Sequence, residues 1–143
     1  MMKILAIDYG TKRIGLAISD ETQTLAREYG IWSADNDNAE FWQKLEPLIE
    51  QEGIERIVLG MPINMSGETT QKSEEVQKFN DQLQQRLTIP IELVDERLSS
   101  VMAEQISGQG TKSHENIDSL AAQIFLQNYL NQNKTNQNID VTI

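Results

Sequence analysis

Four acids sit where a protein of this kind could do chemistry. Asp8 closes the apolar run KILAID, Asp95 and Glu96 close the run IELVDE, and Asp118 falls in the first turn of a late helical pattern. In open α/β sheets, ligands bind outside the carboxyl ends of strands, and the first two positions match that place. Each acid also has an ordinary reading. Asp8 can close a hairpin, Asp95 and Glu96 can form a solvated strand end beside Arg97, and Asp118 can face a helix dipole. Three carboxylate positions from distant parts of the chain, brought to one end of a sheet, repel each other unless a cation sits among them. Oxygen-only ligands suit Mg²⁺ or Mn²⁺. Two such ions can activate a water and stabilise the leaving oxygen in phosphodiester cleavage.

The segment after Asp8 supplies what a phosphate needs. Gly10 lets backbone approach closely, Thr11 offers a hydroxyl, and Lys12 and Arg13 bring positive charge. The alternative is a solvated hairpin loop. Asn64, Ser66 and Thr69 follow a later apolar run and can either touch a substrate or close turns. Tyr9 can stack on a base or cover the loop. His114, the single histidine, reads as a solvated loop residue, and Trp42 as core.

The elements that must position these residues follow from periodicity. Apolar runs predict strands over residues 3–8, 14–19, 56–61 and 91–95, with a weaker one over 27–32 in which Gly30 marks a bulge or an edge. Phe41, Trp42, Leu45, Leu48 and Ile49 predict a helix, interrupted or kinked at Pro47 and stopped at Gly53. Val76, Phe79, Leu83 and Leu87 predict a helix over 72–87. A short helix over 99–106, a polar loop over 107–115 and a final helix over 116–130 complete the chain. Residues 62–71 read as a loop. The order β-β-β-α-β-α-β-α-α predicts a mixed five-stranded sheet, with three leading antiparallel strands and flanking helices. Residues 1–130 form one domain, and the amide-rich stretch 131–143 reads as a disordered tail.

Length and charge narrow the classes. The 143 residues allow one domain. The absence of cysteine excludes a disulfide scaffold and a thiolate zinc site. No apolar run reaches the roughly 20 residues of a membrane span, and the first acid comes too early for a secretory signal, so a cytoplasmic location is expected. The net charge of −10 argues against a protein that grips nucleic acid with its whole surface. That charge is uneven: between residues 34 and 55, seven acids oppose only Lys44.

Four blocks together resemble the YqgF/RuvX family. They are DYGTKRIGLA from Asp8, GMPINMSG from Gly60, VDERLSS from Val94 and IDSLAA from Ile117. The resemblance implies an RNase H-like, RuvC-like fold. It also implies membership among candidate Holliday junction resolvases or pre-16S rRNA nucleases, with an acidic site dependent on Mg²⁺ or Mn²⁺. Its carry-over makes Asp8, Glu96 and Asp118 the catalytic and metal-holding residues, with Asp95 a fourth candidate. Strand neighbours point to opposite faces, so Asp95 and Glu96 do not both face the metals from a regular strand. Gly10, Thr11, Lys12, Arg13, Asn64 and Arg97 are the expected substrate contacts. This chain departs from the family pattern at Ser66, where an acid is common, and in the loop 108–115, whose only basic candidates are Lys112 and His114. The expected partner is nucleic acid, precursor rRNA ahead of branched DNA, together with a ribosomal subunit or a basic protein. Two other classes compete: a non-catalytic nucleic-acid-binding ribosome-assembly factor, and an actin-like ATP-binding domain, for which one domain is too short.

Overall fold

The computed structural model describes residues 2–61, 71–95 and 117–141, the side chains of the last helix being described over 119–133. Among these residues the elements follow in the order β1 (Lys3–Tyr9), β2 (Arg13–Ser19), β3 (Ala26–Ser33), α1 (Asp35–Glu52), β4 (Ile54–Met61), α2 (Gln71–Arg86), β5 (Ile91–Asp95) and α3 (Ile117–Val141). The expected helix over 99–106 and loop over 107–115 lie outside the described residues, as does the expected loop 62–71 except for Gln71, which opens α2 instead.

Branched and apolar residues fill the strands, which form one sheet in the order β3-β2-β1-β4-β5. β1 pairs antiparallel with β2, and β2 with β3, while β1, β4 and β5 run parallel. This is the mixed sheet that the element order predicts. Alternation splits the core into two layers. Leu5, Ile7, Leu16, Ile57 and Leu59 pack on Phe41, Leu45 and Leu48 of α1 and on Val76, Phe79 and Leu83 of α2. Ile4, Ala6, Ala17 and Val58 pack on Phe125, Leu126 and Tyr129 of α3. The small Ala6 and Ala17 let α3 lie close to the sheet.

Local details follow from single residues. Opposite Gly30 the β2–β3 register shifts: Leu16 pairs with Gly30 and Ala17 with Glu28, so Tyr29 is the extra residue of a bulge. Gly53 ends α1 at φ 68°, with its N–H bonded to the Ile49 carbonyl.

Two expectations are corrected. The break in α1 is not at Pro47, which is exposed and lies within the regular part of the helix. The break is at Asn36, Asp37 and Asn38, all left-handed at φ 54–63°. Asn and Asp are the non-glycine residues that best tolerate this region. The second concerns the tail, since α3 runs on through the amide-rich stretch to Val141. Asn and Gln are usable helix formers, and neither Gly nor Pro occurs between 117 and 141 to break the helix.

Candidate active site

Asp8 is the penultimate residue of β1. Alternation sends it, like Ile4 and Ala6, to the face covered by α3. It is only 6% exposed. A carboxylate at that depth requires hydrogen bonds, a counter-charge or a cation.

α3 begins over the same rim. Gln127 Nε2 donates to the Thr24 carbonyl at 2.9 Å, Gln123 Nε2 to the Ala26 carbonyl at 3.1 Å, and the Ser119 hydroxyl to the Glu28 carboxylate at 3.4 Å. As the helix advances its partners retreat along β3, so α3 runs antiparallel to β3 and β1. Glu28 is level with Ala17, and Ala17 with Ala6. The first turn of α3, which contains Asp118, therefore starts near the carboxyl end of β1, on the face Asp8 occupies. Beyond its backbone in that turn, Asp118 lies outside the described residues.

β5 ends at the same rim with Asp95, level with Met61. Val94 packs into the layer under α3 while Met61 packs into the opposite one. Alternation thus turns Asp95 to the face away from Asp8, and its side chain is exposed. Glu96, Arg97 and Asn64 lie outside the described residues, as do Ser66, Thr69, Lys112 and His114. Asp8 being one of the few site acids with a described side chain, no three metal-capable side chains stand together among the described residues.

The loop from Tyr9 to Arg13 is held from three sides. A Cβ on Gly10 would lie 2.6 Å from the Arg13 carbonyl oxygen, so the tight return of the chain requires glycine. The Ala34 N–H donates to the Lys12 carbonyl at 3.0 Å, tying the loop to the corner between β3 and α1. That corner is itself fastened by Glu40, which accepts the Ser33 N–H; this bond and then Lys44 hold the Glu40 carboxyl below the usual range. Tyr9 stacks on Phe79 of α2 with ring centroids 4.3 Å apart, and Asn38 Nδ2 lies 3.4 Å from its hydroxyl. Of the two readings open for Tyr9, the ring covers the loop. A cleft of about 490 Å³ separates the loop from the first turn of α2.

A family model described as RuvX, Holliday junction resolvase, matches residues 2–132. The chain belongs to the RuvX family. A Maridesulfovibrio salexigens protein whose name marks it as a candidate pre-16S rRNA nuclease is 44% identical over 133 residues, covering 90% of this chain and 98% of that one. A Chloroflexus aurantiacus protein of the same name is 39% identical, covering 94% and 90%. Among solved structures, T. thermophilus RuvC in complex with a Holliday junction substrate superposes with a TM-score of 0.59 at 11% identity, over 94% of this chain and 97% of that one. That likeness shows the fold, and it is the expected RNase H-like one.

In this RuvX-family chain the buttress of the loop leaves no local mark in the sequence. Asn38, Phe79 and Ala34 carry no motif, and they meet Tyr9 and Lys12 only through tertiary packing. Gln123 and Gln127, whose amides fasten α3 to the strand edge, likewise stand in no motif. Among the described residues no helix is long and apolar enough to cross a membrane.

Proposed function

We propose that this RuvX-family chain is a metal-dependent endonuclease of the cytoplasm that cuts phosphodiester bonds in structured nucleic acid. Precursor 16S rRNA is the favoured substrate and branched DNA the second. The observation that carries this reading is the buried Asp8 at the end of β1, on the face where α3 begins with Asp118, beside a rigid basic loop. The names of the curated relatives favour the RNA.

An all-oxygen donor set fits a hard divalent cation. Asp8, Glu96 and Asp118 would hold Mg²⁺ or Mn²⁺, and the turning of Asp95 to the opposite face favours Glu96 as the ligand from this pair. Two bound ions would activate the attacking water and offset charge on the leaving oxygen. The protein's own contribution is placement. Lys12 and Arg13 hold substrate phosphates against the rim, joined by Asn64 and Arg97. The glycine-closed loop fixes the backbone that carries those cations before substrate arrives, which lowers the ordering cost of binding. With a net charge of −10, binding without the metals is weak, and cleavage-competent binding depends on them and on a basic partner or ribosomal subunit.

The test uses purified wild type, Asp8→Asn, Glu96→Gln, Asp118→Asn and Asp95→Asn. Each is assayed with Mg²⁺ or Mn²⁺ on a precursor rRNA fragment and on a four-way DNA junction. The first three substitutions are expected to lower cleavage by about a hundredfold or more, the scale of losing one electrostatic stabiliser of a transition state. Asp95→Asn is expected to retain most activity. Wild type that cuts neither substrate with either metal, yet binds RNA, would make the chain a non-catalytic assembly factor.

A further inference from the structure

We propose that the cleft between the hairpin loop and α2 is a second phosphate subsite, in which Lys12 and Lys72 hold a backbone phosphate of the bound strand away from the bond that is cut. The proposal rests on the reading of the chain as acting on nucleic acid, and it adds residues of α2 to the substrate path.

Three observations carry it. The first is shape. The cleft of about 490 Å³ has Gly10, Thr11, Lys12 and Arg13 on one wall and Gln71, Lys72 and Glu75 on the other, a volume in the range of small-ligand sites. The second is its separation from the acids. Tyr9 lines the cleft and stacks on Phe79 in the layer of α1 and α2, whereas Asp8 points into the layer of α3. The sheet therefore stands between the metal-holding carboxylate and the cleft cations. The third is charge. In this chain 22 acids face 12 bases, and Lys3, Lys44 and Arg56 are each paired with a glutamate. Lys12 and Lys72 are exposed and have no ion-pair partner among the described residues. Two unpaired ammonium groups flanking one concave space, in a protein rich in carboxylates, fit an anion from outside.

The polar lining suits a phosphate. Thr11 and Gln71 add neutral donors suited to phosphate oxygens. Glu75 is the one carboxylate on the described walls, facing Lys12, Arg13 and Lys72, so the cleft keeps a net positive charge that suits a phosphate. A strand held here and at the acids would cross over the tip of the hairpin, touching both faces of the sheet rim.

The experiment measures binding of a labelled precursor rRNA hairpin to the full chain in EDTA, across a range of salt, so that cleavage plays no part. Lys72→Ala and Lys12→Ala are each expected to weaken binding several-fold and to lower the slope of log Kobs against log salt by about one. Lys72→Arg is expected to keep the slope, and Glu75→Gln to tighten binding. Unchanged slopes in both alanine variants, or no binding by wild type, would overturn the subsite. Failure of the nuclease reading looks different: wild type would bind with the lysine-dependent slope and still cut nothing when Mg²⁺ or Mn²⁺ is added.

Discussion

Gly10 is the residue on which the loop depends most directly. Its requirement is not a positive φ but the Arg13 carbonyl oxygen, which a Cβ would approach to 2.6 Å. Backbone cannot swing aside as a side-chain tip can, so Gly10→Ala must open the turn that carries Lys12 and Arg13. The expected loss is about 1–3 kcal/mol, typical of overpacking, with weaker nucleic-acid binding. Gly30 is the matched control, since a Cβ there meets nothing within 4 Å. Gly30→Ala is expected to stay within about 0.5 kcal/mol of wild type. Denaturant unfolding of the two variants side by side measures both.

Among the elements, the turn from β2 to β3 at the far end of the sheet is closed by one carboxylate. Asp20 accepts from the Thr22 hydroxyl at 2.6 Å, from the Thr24 N–H at 2.9 Å and from the Leu25 N–H at 3.1 Å. The Thr22 bond first, and then the two backbone bonds, hold its carboxyl far below the usual range. A carboxyl with a depressed folded pKa stabilises fully above its unfolded value of about 4, and that contribution disappears as pH falls through the folded value. Asp20→Ala should therefore melt lower than wild type at pH 7, with the gap narrowing as the solution is acidified below pH 4. A gap constant from pH 7 to pH 2 would show that the carboxylate's charge has no part in closing the turn. The same scale shows what sequence conveys and what it hides. The strands were legible because branched apolar runs end at turn residues, and β5 falls on residues 91–95 as expected. The left-handed Asn36–Asn38 turn reads only as a polar stretch, because nothing local distinguishes a loop from a helix entered through a strained turn. The extension of α3 to Val141 was hidden because amide-rich composition describes solubility better than backbone preference.

At the scale of the whole molecule, the acid at the end of β1 and the glycine-bearing loop after it were legible, because strand ends and tight turns leave local marks. The second wall of the cleft was not. Lys72 and Glu75 are some sixty residues from Lys12 in sequence, and only the crossover through β4 brings α2 alongside the hairpin. One further property comes from the aromatic side chains under that hairpin. Tyr9 stacks on Phe79, and Phe79 lies 5.6 Å from Trp42 and 5.1 Å from Phe41, which touches Trp32 at 5.7 Å. Arg86 sits over the Trp42 ring at 4.0 Å. Both tryptophans of the chain thus belong to one connected stack whose outermost ring is the floor of the loop. The protein carries its own optical gauge of the hairpin: titration with RNA in EDTA should change indole emission wherever binding shifts Tyr9. The same titration of Tyr9→Leu should be silent, and a silent wild type would mean that the loop receives its ligand without moving.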